Sequence, residues 1–276
     1  MTGFGDSSAV DASISVARLG ADPEVIARRA EEMQRLGIHQ GVLVADRRGR
    51  AWDPDAVNID PGVVARAIDR HAGIFSGALG VDPGAGATIH GALRSAVAAG
   101  FVAAHIVPHA YGLAPDDRRW YPTYAACAEL EIPVQIELGV HKTPGSRIRS
   151  VGRPIALDEI ACVFPELRII AMTPWPWTEE AISMAYKHDQ VYLAVGSDDP
   201  GARDPSLVRF CDSWGRGKVM FASAGFPLAS ALATIEDHGL RATAEEACLR
   251  GVAQNVYGIP DGGEADSGTP FRFPER

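Results

Sequence analysis

The stretch VDASISV (10–16), read as extended chain, sends Ala12, Ile14 and Val16 one way and Asp11, Ser13 and Ser15 the other. Short runs rich in β-branched residues recur after it at GVLVA (41–45), IFSGALG (74–80), FVAAHIV (101–107), PVQIEL (133–138), LRIIAM (167–172), VYLAV (191–195) and KVMFAS (218–223). Each reads as a strand. The segments between them, such as DPEVIARRAEEMQRLG, DPGVVARAIDRHAG and ALRSAVAAG, place apolar residues at helical spacing. The first of these is punctuated at both ends, with Asp22 as N-cap, Pro23 at the first helical position and Gly37 as C-cap. Eight strand-then-helix units predict an α/β fold, a (β/α)8 TIM barrel, whose sheet is parallel because the crossovers are helical. A doubly wound open sheet is the alternative. No GxGxxG follows the first strand, so nucleotide binding finds no support. The expected organisation is one barrel domain over residues 1–260 and a polar, proline-bearing tail over 261–276.

Composition narrows the partners. At 276 residues and 46% hydrophobic, the chain can bury a single large core. The net charge of −9 argues against nucleic acid or an anionic membrane surface as partner. No apolar run approaches the roughly 20 residues of a membrane span, and MTGFGDSSAVDA lacks the basic and apolar regions of a leader. Cys127, Cys162, Cys211 and Cys248 are widely spaced with no CxxC, which reads as reduced, mostly buried helix residues of a cytoplasmic protein. The helical shell is compatible with a homodimer.

In a barrel of this kind, chemistry sits at the carboxyl ends of the strands and in the loops after them. Those ends carry Ser13 and Ser15, His105 with His109 just beyond, Glu137, Met172 and Ala224. Tyr111, Trp120, Tyr121, Trp175 and Trp177 follow in the neighbouring loops. The sequence thus predicts a pocket with one carboxylate, two imidazoles and flat aromatic walls.

The segment RPIALDEIACVFPELRIIAMTPWPWTEEAI, with VYLAVGS, KVMFASAGFP and QNVYGIP after it and GFVAAHIVPHAYGLAPDDRRWYPTYAACAELEIPVQIELG before it, resembles the amidohydrolase-related barrels. These include metal-dependent decarboxylases of the aminocarboxymuconate-semialdehyde type and lactonases acting on pyrone dicarboxylates. The resemblance runs from Val10 to about Pro260 and implies the fold more specifically than the activity. The family's metal site is where the sequence departs. The resemblance implies Asp-x-His-x-His on the first strand, and here Asp11 is followed by Ser13 and Ser15. It implies a histidine on the fifth strand, after the sixth strand a second, and Ser-Asp at the end of the eighth. Glu137, Met172 and Ala224 stand at those positions. Serine and methionine are poor zinc ligands and alanine is none, so the expectation is no metal and no other cofactor.

The expected catalytic residues are Glu137, His105 and His109, with Glu137 as general acid or base. The competing reading of Glu137 is a salt bridge to Arg147, Arg149 or Arg153. That of His105 is a hydrogen bond to Glu137 or Asp11 that fills the vacated cavity. Asp11, Ser13, Ser15, Tyr111, His141, Met172, Trp175, Trp177 and Ala224 are the expected substrate contacts. Asp116 and Asp117 read as helix caps. Three functions fit these residues. The first is a metal-independent lyase, isomerase, cyclase or lactone-opening enzyme acting on a planar, carboxylated or aromatic small molecule. The second is a non-catalytic ligand-binding or partner subunit. The third is a metal enzyme with relocated ligands drawn from Asp11, His105, His109, Glu137 and His141.

Overall fold

The computed structural model describes residues 9–49, 55–140, 150–172, 174–196 and 200–260. The tail over 261–276 and His141 lie outside them. Eight strands form one parallel sheet in sequential order: β1 (Ala9–Ser15), β2 (Ile38–Ala45), β3 (Phe75–Gly80), β4 (Phe101–Ile106), β5 (Val134–Glu137), β6 (Ile169–Met172), β7 (Val191–Val195) and β8 (Val219–Phe221). Helices follow them in turn: α1 (Pro23–Arg35), α2 (Pro61–Arg70), α3 (Ile89–Ala98), α4 (Tyr121–Glu129), α5 (Leu157–Val163), α6 (Thr178–Lys187), α7 (Pro205–Cys211) and α8 (Leu228–Glu236). This is the (β/α)8 barrel that the alternation predicts. β8 returns to β1 through Ala224 N–H donating to the Ser13 carbonyl at 2.9 Å.

Local chemistry sets the elements where the sequence says it should. Asp22 caps α1 by accepting from Glu24 N at 2.7 Å and Pro23 opens it; the C-cap falls at Leu36, one residue before the expected Gly37, which follows with φ +74°. Ile26, Ala30 and Met33 give α1 a buried stripe at helical spacing. Full burial of an aliphatic side chain such as Ile26 or Met33 is worth about 1.5–3 kcal/mol. Asp117 caps the short turn Arg118–Trp120 by accepting from Arg119 N. The four cysteines are free, three of them buried and Cys162 exposed.

The core has two layers. One cluster lies between the sheet and the helices and includes Ile14, Leu43 and Phe221; the other includes Val10, Ala12, Val44, Met172 and Ala222. A helical run covers the β1–β8 side. It passes from Ala242–Glu246 through a π-helical turn at Ala247–Gly251 to Val252–Tyr257, and Val252, Val256 and Tyr257 join the second cluster.

The strict alternation expected of VDASISV does not hold. Asp11 pairs with Gly41 and Ile14 with Leu43, so three steps on β1 oppose two on β2. Ala12 and Ile14, expected on one face, therefore belong to different layers. Gly41 makes room for this: a Cβ there would stand 2.7 Å from Ile14 Cδ1. Gly80 does the same for the loop after β2, since a Cβ on it would lie 2.2 Å from the Ala45 carbonyl and 2.6 Å from Arg47 N. Only glycine lets the end of β3 pass so close to the loop that carries Asp46 and Arg48.

Candidate active site at the carboxyl ends of the strands

Glu137 ends β5 and His105 is the fifth residue of β4, and the two meet: His105 Nε2 stands 3.3 Å from Glu137 Oε1. His105 is 2% exposed and the Glu137 side chain 12%. An arginine does pair with Glu137, but it comes from the loop after β2. Arg48 Nη2 donates to both carboxylate oxygens, at 2.8 and 3.0 Å. Arg153 instead pairs with Glu180, and Arg147 and Arg149 lie outside the described residues. Arg48 is itself held, its backbone N–H donating to Asn58 Oδ1 at 2.6 Å while Asn58 Nδ2 donates to the Arg48 carbonyl.

Asp46 completes the cluster. Fully buried just past β2, it accepts from Ser15 Oγ and from Ala17 N, each at 2.9 Å. One donor atom each from Asp46, His105 and Glu137 lie within 4.8 Å of one another.

Gln135 sets the proton on His105. The Ala12 carbonyl accepts from Gln135 Nε2 at 3.1 Å and from the Tyr257 hydroxyl at 2.8 Å, and Gln135 Nε2 also donates to that hydroxyl at 2.7 Å. A carbonyl only accepts, so the amide nitrogen must face Ala12 and Oε1 must face His105 Nδ1, 3.0 Å away. Nδ1 therefore carries a proton. In a neutral ring, Nε2 then offers a lone pair toward the Glu137 carboxylate. That contact is favourable only with a proton, or another cation, between the two groups. Ser13 Oγ adds a long bond to Gln135 Oε1 at 3.4 Å.

The remaining expected residues that are described each have their own setting. Asp11 is fully buried at the β1–β8 junction, where its Oδ1 accepts from Ser223 N at 2.8 Å and Ser13 N at 3.4 Å. Burial pushes its carboxyl up to about 6, against the lowering effect of the Ser223 bonds and the Arg29 charge. Ser15 caps the turn Val16–Leu19 in addition to holding Asp46. Ala224 takes a positive φ of +52°, and its carbonyl accepts from Arg18. His109 and Tyr111 share the short turn Pro108–Tyr111; Tyr111 packs edge-on to Trp120, and burial pushes its phenol up to about 12. Met172 is buried at the end of β6. Trp175 is half-exposed, its carbonyl taken by Val140 N, and Trp177 sits at the N-terminus of α6. Asp46, Arg48, Gln135 and Tyr257 are the members of the site that strand-end reading does not name.

Asp11 carries a pH signature. Because its carboxyl is raised in the folded chain, its contribution to stability is full below the ordinary 3.8 and is lost as pH rises through about 6. D11N keeps an oxygen for Ser223 N but has no charge to bury. Relative to wild type, the variant is expected to gain roughly 3 kcal/mol across that window. Urea unfolding at either end of it measures the difference.

Solved structures share the architecture. An uncharacterized TIM-barrel protein from Bordetella bronchiseptica superimposes with TM-score 0.73 at 20% identity, over 91% of this chain and 99% of that one. The 5-carboxyvanillate decarboxylase of Novosphingobium aromaticivorans, solved with bound manganese, gives 0.67 at 16% identity over 94% and 99%. The 4-oxalomesaconate hydratase of Rhodopseudomonas palustris gives 0.62 at 19% identity over 91% and 96%. No curated protein matches the chain in sequence. The amidohydrolase family model (Amidohydro_2), however, matches residues 19–256, and the chain belongs to that family.

Proposed function

We propose that the chain is an acid–base enzyme acting on a planar, carboxylated small molecule, in a lyase, isomerase, cyclase or lactone-opening reaction. The carrying observation is the His105–Glu137 contact with the imidazole tautomer set by Gln135. This pair holds one transferable proton between two groups at the floor of the strand ends. Arg48 gives the pair its substrate dependence. An incoming carboxylate competes with Glu137 for the guanidinium, and as Arg48 turns to the substrate, Glu137 is released as a base. The shared proton then rests on His105 Nε2, so Glu137 takes a proton from the substrate while His105 gives its Nε2 proton back at a second position. Among the described residues, the charges of Asp46 and Glu137 are offset by Arg48 and the shared proton.

A second reading rests on the same cluster. Asp46, His105 and Glu137 are suitable donors for a divalent ion, and Gln135 orients the far nitrogen of His105 as ligating imidazoles usually are oriented. When bound, such an ion would polarise a substrate oxygen. Manganese in the decarboxylase from Novosphingobium lends this reading support. The two readings separate in one experiment. Protein dialysed against a strong chelator is assayed on carboxylated phenols, enols and pyrone lactones. Turnover that survives chelation is expected; turnover lost and then restored by Mn(II) or Zn(II) would establish the metal reading.

A further inference from the structure

A second ligand cluster lies away from the strand-end site, beside the turn that leads from α6 into β7. Asp158 and Cys162 stand one helical turn apart on α5, and His188 directly follows α6. One donor atom from each lies within 4.8 Å of the others. We propose that Asp158, Cys162 and His188 form a zinc-binding site of thiolate, imidazole and carboxylate, with water as the fourth ligand.

The donor set suits a borderline-soft ion that takes sulfur, nitrogen and oxygen together in tetrahedral geometry. With bonds of about 2.0–2.3 Å, tetrahedral ligands stand some 3–4 Å apart, within reach of small side-chain rotations here. The parts are fixed from behind. Cys162 and Asp158 share one helix, at the i, i+4 spacing that points both side chains the same way. Lys218 donates to the carbonyls of His188 at 3.0 Å and Asp189 at 2.6 Å, which pins the backbone that presents the imidazole. His188 Nε2 already contacts Asp158 Oδ1 at 2.6 Å, and Lys187 donates to the same oxygen. These bonds hold the Asp158 carboxyl below its ordinary range, so it is ionised at neutral pH. Lys187 now supplies the cation that this carboxylate holds. Its side chain is half-exposed, and an exposed pair of this kind is easily exchanged. On binding, Cys162 loses its proton to solvent, the S–H bond is replaced by S–Zn, and the Lys187 ammonium moves off Asp158.

The test uses the full chain and Co(II) as a spectroscopic stand-in for zinc, followed by Zn(II) titration calorimetry. A thiolate-to-cobalt charge-transfer absorption is expected in the wild type and in E137Q. It should be absent from C162S, and the Zn(II) affinity of C162S and of H188Q should fall by roughly tenfold or more. Cys162 is exposed, so C162S is expected to fold as the wild type does. Absence of the band in the wild type, its persistence in C162S, or its loss in E137Q would each overturn the site.

Discussion

Replacing Glu137 with glutamine is expected to lower kcat by about 10²–10⁴-fold while leaving the circular dichroism and the unfolding midpoint close to wild type. Glutamine fills the same volume and still offers one oxygen to Arg48, which now donates to both carboxylate oxygens. What it lacks is the capacity to hold the proton facing His105 Nε2. KM for a carboxylate substrate should stay level or fall, because Arg48 is no longer held by a full negative charge. Steady-state kinetics on any substrate the wild type turns over measures both numbers. A kcat within a few-fold of wild type would remove Glu137 from the chemistry. Loss of activity alone does not separate the proton pair from a metal at the same residues, so the chelation experiment is its necessary companion.

The second large effect falls on stability. Gln135→Leu is expected to destabilise the chain by about 4 kcal/mol, measured by urea unfolding. Gln135 is fully buried and bonds His105 Nδ1, the Ala12 carbonyl and the Tyr257 hydroxyl. Leucine leaves the imidazole N–H without its acceptor and takes one donor from both oxygens, each loss costing about 1–3 kcal/mol. Gln135→Glu is the informative partner variant. Its second carboxylate oxygen would face the Ala12 carbonyl, so it should destabilise as well unless it is protonated. A loss under about 1 kcal/mol for the leucine variant would show that the network does not hold the barrel floor.

Much of this was legible in the sequence because barrel strands are short and apolar. VYLAV (191–195) coincides with β7, and every other predicted run overlaps its strand, although KVMFAS (218–223) shortens to Val219–Phe221. His105 and Glu137 stood out because a polar residue inside such a run needs a reason. Gln135 carries the same signal, two residues before Glu137 on the same face, but it does not end its strand. Asp46 and Arg48 were hidden differently. They follow GVLVA directly, where charged residues look like ordinary loop, and only the close approach at Gly80 shows the loop folding over the strand ends. The break in β1 could not be read from VDASISV at all, because the missing side chain that permits it belongs to Gly41 on β2. The distinction between metal loss and metal relocation depends on the same hidden Asp46, since without it the site has too few donors gathered in one place.

The bond from Tyr257 to the Ala12 carbonyl joins positions 245 residues apart, and Tyr257 in turn supports the glutamine that sets His105. Contacts of such span form late, because the chain between them must be ordered or closed as a loop first. In a chain still being synthesised, β1 to β5, with His105 and Glu137, precede the Tyr257 hydroxyl that supports Gln135. On the function proposed above, activity waits for the helical run beside β1 and β8 to dock, so refolding followed by activity is expected to report a late step of assembly rather than the first.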